Sequence, residues 1–337
     1  MKFLIKLVLL IFIIGLILSV VAFFGGVNLE NIGTYFVDDE AYGDPIEYVS
    51  TTEIDSLDVQ LDTRNIVISI AIGDEIIVTY HAHEKDTWSV NEVNGTLNIV
   101  QTTKPTFFSW FNFKIASEEV LTVYIEIPAD LFLDYSLDSD VGNISYIDGP
   151  QNIDDLSIDT DTGKVEIENA TMNSLTVQMS TGSIILSNLT ILGDLDANTS
   201  TGNVVLDTIV ANQMTLNTKT GKIIADDIIA NELITETSTG RIEIRSAVIS
   251  GIVELTTSTG SITVTNSNAT SFDLASSTGN ISFSSTTSMD LRYDLDTTVG
   301  NITVNGDDQG SKHSTSTGAI LLKARVSTGN ITINVQD

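Results

Sequence analysis

A glycine returns along the second half of this chain at a nearly constant interval, and no other feature of the sequence constrains the fold as tightly. The glycines are Gly142, Gly163, Gly182, Gly202, Gly221, Gly240, Gly260, Gly279, Gly300, Gly318 and Gly329. Their spacings are 21, 19, 20, 19, 19, 20, 19, 21, 18 and 11 residues. A period near twenty is too short for a helical-pair repeat. It matches one coil of a β-solenoid, where each repeat buries its apolar face against the next. Residues 151–337 hold no proline, as interior coils require, because each proline would delete a ladder donor.

Strand side chains alternate with a period of two, so offsets from the glycine show what faces inward. Two residues after it stands Ile or Val every time, as in Val165, Ile184, Val204, Ile223 and Ile242. Four after it is another apolar side chain, for example Ile167, Leu186, Ile244 and Phe283. Positions seven and five before it are mostly apolar, as in Leu156/Ile158, Leu175/Val177 and Met214/Leu216. Each coil is therefore expected to give two short strands to one narrow core, with the glycine at a turn that demands positive φ or leaves no room for a Cβ. The final spacing predicts a truncated last coil that caps the stack. Threonines three and one residues before the glycine, such as Thr199/Thr201 and Thr237/Thr239, share the inward alternation. They are expected to form internal ladders rather than an ice-binding face.

Upstream, residues 46–130 have strand character without the repeat. Ile66, Ile68 and Ile70 alternate with polar or small neighbours, and Asn94-Gly95 is a hairpin turn signal. This segment is read as a β-rich module covering the first coil of a repeat domain at residues 131–337. The N-terminus differs from both. Leu7 to Val27 is apolar, preceded by Lys2 and Lys6 and followed by Glu30, Asp38, Asp39 and Glu40. It reaches the roughly 20 residues of a membrane span, and the Lys bias places the N-terminus in the cytoplasm. The expectation is a transmembrane signal anchor at residues 1–27, a linker at 28–45 and a single-pass cell-membrane protein whose bulk lies outside. A cleaved signal peptide ending near Val20-Val21-Ala22 competes with it. The fold class expected is all-β: a single-stack solenoid of about ten coils of 19 to 21 residues, preceded by the β-rich module and one transmembrane helix.

Charge and cysteine usage exclude several functions. With 15 Lys and Arg against 45 Asp and Glu, the net charge is −30, which repels nucleic-acid backbones. No cysteine is present, so thiolate metal sites and cysteine nucleophiles are out. Paired imidazoles at His81 and His83 lack a third ligand by spacing, and no acid recurs at a fixed offset from the glycines as calcium-binding repeats require. No metal and no cofactor are expected. The adjacent pairs Asp226-Asp227 and Asp307-Asp308 read as turn aspartates, which leaves a polysaccharide-active lyase or hydrolase as the alternative function.

Two features point to binding. Phe107, Phe108, Trp110, Phe111 and Phe113 fall within seven residues, a composition typical of hot spots and interface anchors; a plug on the solenoid end is the competing role. The outward position three after the glycine is Ile185, Val205 and Ile224 on three consecutive coils, an apolar stripe suited to a partner or to self-association.

The order of the apolar N-terminus, Asn94-Gly95-Thr96-Leu97-Asn98-Ile99, Val123-Tyr124-Ile125-Glu126-Ile127-Pro128 and repeated Ser-Thr-Gly-x-Ile resembles the bacterial "putative adhesin" family of β-strand-repeat envelope proteins. The resemblance covers residues 46–337. It implies a membrane-anchored, outward-facing β-solenoid with no family motif of functional residues to transfer. The function expected is non-catalytic binding, adhesion or structural partnership in the cell envelope. Partners would be the membrane through the N-terminal helix and an envelope protein, a cell-wall polymer or a surface ligand.

Overall fold

The computed structural model describes residues 39–104 and 116–336. They form a 28-stranded sheet wound on itself. Along most of the winding the strands run parallel and in register, so Gly163 lies beside Gly182 and Val165 beside Ile184. The inward offsets hold along the stack: Ile184, Val204, Ile223, Ile242, Ile262 and Ile281 are fully buried in one column. Parallel registry of this kind converts one sequence offset into one continuous apolar rod.

The glycine corner is dictated twice. Gly182 and Gly202 have φ of 139° and 147°, and a Cβ on either would collide with the glycine carbonyl of the adjoining rung. From Gly202 to Gly300 a buried hydroxyl three residues before the glycine locks the corner, as Thr218 Oγ1 donates to the Gly202 carbonyl at 3.1 Å and Ser276 Oγ to the Gly260 carbonyl at 3.0 Å. The threonine one residue before the glycine is exposed. Only half of the expected internal ladder forms, because the chain has already begun to bend there.

Each central coil has three sides where two strands were expected. Six residues after the glycine the chain turns again through a left-handed residue, at Asn169, Asn188, Thr208, Asp227, Ser246 and Asn266, with φ between 49° and 58°. A short third side follows, burying the pairs Leu189/Ile191, Ile209/Ala211 and Ile228/Ala230. Asn, Asp and Ser tolerate this conformation, whereas a β-branched residue is disfavoured. Thr208, at φ 58°, is the misfit. Thr208→Asn is expected to stabilise the protein by about 1 kcal/mol, seen as a higher urea midpoint at unchanged denaturant slope. A lower midpoint would show that the threonine side chain contributes something its hydroxyl contacts do not reveal.

The order of rungs in space departs from the order in sequence at both ends. At one end, Thr96–Thr103 and Thr122–Ile127 pair outside Ser56–Leu61 and Asn65–Ile70, which in turn pair with Asp134–Val141 and Ile144–Asp148. At the other, Ile320–Thr328 and Ile331–Val335 insert between the Ser271–Thr278/Ile281–Ser285 rung and the Leu291–Val299/Ile302–Val304 rung. Gly329 and not Gly318 occupies the glycine column there, stacked between Gly279 and Gly300. The short last spacing is thus the return of an internal rung, and the expected truncated cap is corrected accordingly.

Antiparallel strands close both ends. Asp86–Val93 pairs with Thr96–Thr103 through the expected Asn94-Gly95 turn, and Ile77–Tyr80 pairs with Thr122–Ile127. At the far end Asp307–Gly310 and Lys312–Ser314 cover Ile302–Val304 and Leu291–Val299. Such strands hide the parallel edges that would otherwise template association. Under the first cap, the Arg64 guanidinium pairs with Asp86, both side chains nearly inaccessible at 3% and 1%. It also lies 5.2 Å from the Tyr42 ring and 5.8 Å from the Trp88 ring.

The expected fold class needs two further corrections. Strands from residues 46–130 are rungs and closing strands of the one sheet, not a module placed before it. Among the described residues the one helical element is a 3-10 turn, Asp39–Ala41, and no helix is long and apolar enough to cross a membrane. The transmembrane helix expected at residues 1–27 lies outside the described residues. The single-pass membrane placement that depended on it is therefore withdrawn.

Candidate contact surfaces

Parallel registry brings the apolar positions three residues after the glycine into one outward column on the second side. Ile185 pairs with Val205 and Val205 with Ile224, all three half-buried. The column is bounded by Glu166 on one side and Glu243 on the other. Lys164 Nζ meets Glu166 Oε2 at 2.6 Å, Arg241 Nη2 meets Glu243 Oε2 at 2.9 Å, and Arg245 also binds Glu243. Ion pairs therefore frame a three-rung apolar window. The other expected contact group, Phe107, Phe108, Trp110, Phe111 and Phe113, lies outside the described residues.

A second column lies on the third side, which the two-strand reading of the coil left out. Val210 pairs with Ile229 and Ile229 with Val248. They are 39%, 50% and 52% exposed. Leu192 and Ile252, at corners where the third side meets the next coil, are exposed as well. The signal was present in the sequence as an apolar residue eight after Gly202, Gly221 and Gly240. The adjoining corner carries Asp207, Asp226 and Asp227, with Arg245 on the next rung 3.7 Å from Asp226, so a mainly acidic margin borders this apolar surface.

His81, His83 and two of the paired aspartates have local contacts. His81 Nδ1 lies 2.8 Å from the Gly43 carbonyl, and the His83 ring packs edge-on against Tyr42 at 5.0 Å. Asp227 occupies a left-handed corner, and Asp308 Oδ1 accepts from the Gly310 amide at 2.8 Å. On the first side, burial raises the Asp138 carboxyl, and the neighbouring carboxylates Asp159, Asp140, Asp161 and Asp58 raise it further. Among the described residues, no group of three or more His, Cys, Asp or Glu is arranged to hold a metal.

A family model described as Toastrack DUF4097 matches residues 54–264. Among solved structures, the chain is similar to a "putative adhesin" from Parabacteroides merdae, at 11% identity and TM-score 0.47, covering 88% of this chain and 97% of that one. It is similar to another from Parabacteroides distasonis, at 10% identity and TM-score 0.46, covering 87% and 98%. A third likeness is to a "putative lipid binding protein" of Parabacteroides distasonis, at 13% identity and TM-score 0.39, covering 88% and 98%. No curated protein matches the chain.

Proposed function

This chain belongs to the Toastrack DUF4097 family, and from that footing we propose that it is a non-catalytic binding module of the adhesion type, working through the outer faces of its coils. The observation that carries the reading is the exposed column Val210, Ile229 and Val248. Three apolar side chains on consecutive parallel rungs make a rigid strip, and exposed apolar strips on otherwise polar proteins are characteristic of contact surfaces. The Ile185, Val205 and Ile224 window on the neighbouring side shares two of its three coils with this column. With Asp207, Asp226 and Asp227 along the margin and a net charge of −30, the partner that fits is a protein surface both apolar and basic.

The test is co-sedimentation of the full chain with isolated cell envelopes at increasing salt, comparing wild type with V210D/I229D/V248D. These side chains project outward, so the variant should melt within about 2 °C of wild type, surface changes being worth about 0.5 kcal/mol or less each. Envelope binding is expected to fall at least tenfold and to weaken with salt in the wild type. Undiminished binding by the folded variant would move the contact off this face.

A further inference from the structure

The Val210 column continues, rung by rung, into Thr190, Thr171 and Asn152 at one end of the third side. There it borders a surface cleft of about 430 Å³, within the range of small-ligand sites. The polar wall is Gln151, Asn152, Asn169, Thr171, Asn188 and Thr190. In a chain with 60 charged residues, 15 basic and 45 acidic, the residues lining this cleft include none. A charged ligand would give up water there without meeting a counter-charge. Amides and hydroxyls instead both donate and accept, which suits a ligand that is neutral and rich in groups of the same kind. Ile70, Ile147 and Ala170 complete the lining with apolar surface, suited to the C–H face of such a ligand.

The wall is held before any ligand arrives. Tyr146 is fully buried, and its hydroxyl donates to the Pro150 carbonyl at 2.6 Å. Gly149 leaves the space that the Tyr146 ring fills, since a Cβ there would stand 2.6 Å from the ring. The Thr171 amide donates to the Gln151 carbonyl at 2.6 Å. Asn169 and Asn188 repeat one rung apart at left-handed corners, joined by an amide-to-amide hydrogen bond. Thr171 and Thr190 repeat in the same register. The solenoid thus presents matched polar groups at its rung spacing of about 4.8 Å, on a backbone that has little freedom left to lose on binding.

We propose that this cleft binds a neutral saccharide, with Asn152, Thr171 and Thr190 hydrogen-bonding to sugar hydroxyls and Ile70 and Ile147 against a C–H face. The cleft adjoins the column only at Val210, which pairs with Thr190, so changes confined to Ile229 and Val248 let the two readings fail separately.

The experiment is saturation-transfer NMR on the full chain. The probes are the neutral methyl glycosides of glucose, galactose and N-acetylglucosamine and their β-linked disaccharides, with glucuronic acid and glucose 6-phosphate as anionic comparators. At least one neutral probe is expected to give saturable transfer, and the anionic comparators none. T171V/T190V keeps the β-branched shape while removing two hydroxyls, so affinity should fall about tenfold or more, each lost hydrogen bond being worth about 1 kcal/mol. Asn152→Ala should weaken binding in the same direction, whereas I229D/V248D, which leaves Val210 beside Thr190 intact, should leave it unchanged. Absence of saturable transfer from every neutral probe, equal or stronger transfer from the anionic ones, or binding indifferent to the threonine and asparagine variants would overturn the assignment.

Discussion

Gly182→Ala is expected to destabilise the protein by about 3 to 5 kcal/mol, the sum of an overpacking cost and a left-handed backbone cost. Gly182 has φ 139°, a region that L side chains avoid. A Cβ built there would overlap the Gly163 carbonyl oxygen and stand 2.8 Å from its carbon. Those atoms are backbone, which no rotamer change can move aside. Moving them would disturb Gly142 below, and Gly202 stacks on the Gly182 carbonyl from above. Relaxation at one corner therefore propagates along the column instead of ending in a side-chain rotamer change. Gly73, with nothing within 4 Å of its would-be Cβ, is the control, and Gly73→Ala should melt like wild type. Thermal and urea unfolding of both variants decides the matter; a Gly182→Ala protein as stable as the control would mean that the column can spread to admit a methyl group.

That column is also the reason the fold was legible in the sequence. A parallel in-register stack makes every rung face the same steric problem at the same offset, so one glycine and one Ile or Val two residues later recur until the pattern stands out. The family was legible for the same reason, because its Ser-Thr-Gly-x-Ile repeat is this corner written out. The third side was not legible. Its corner is met by Asn, Thr, Asp or Ser at positive φ, four residue types that elsewhere mark any exposed turn. One member of most of its inward pairs is an alanine, Ala170, Ala211, Ala230 or Ala247, which leaves a single large apolar residue per side, too little for a hydrophobic pattern to announce it. Missing that side meant missing the exposed Val210, Ile229 and Val248 column as well.

Long-range order was hidden for a different reason. The Arg64–Asp86 pair joins residues from a corner and a closing strand, which no local pattern connects. The stacking order at the two ends is likewise invisible to offsets. Any rung with Thr-Gly-Asn-Ile can in principle sit on any other, so periodicity fixes the shape of a coil and leaves its neighbours open. The cleft on the third side shares this property: Gln151 and Asn152 reach Thr171 and Asn169 only because the loop after Tyr146 folds back under the first long coil.

The interior position of the last rung makes the C-terminus a keystone, and ending the chain after Gly318 should have the larger effect of the two changes argued here. Leu322, Ala324, Ile331 and Ile333 are fully buried and Val326 nearly so. Removing them forfeits on the order of 10 kcal/mol of gross apolar burial at about 1.5 to 3 kcal/mol per large side chain. The consequence reaches further than the deleted residues. Leu291–Val299 and Ile302–Val304 pair with the last rung and with their closing strands, and with no earlier coil. Without residues 319–337 that terminal coil has no floor, while Phe272 and Phe283, edge-on at 5.0 Å, become the open end of the core. Hydrogen exchange should therefore show Leu291–Ser314 losing protection as a unit, with the central rungs from Val204 to Val264 unchanged. The competing outcome is specific: Gly300-Asn301-Ile302 repeats the Gly329-Asn330-Ile331 of the last rung, which would let the terminal coil settle one rung lower onto Gly279. Retained protection at Leu291–Val304 in the truncated chain would reveal that slip, and would show that rung order is chosen by chain connectivity rather than by the side chains each rung presents.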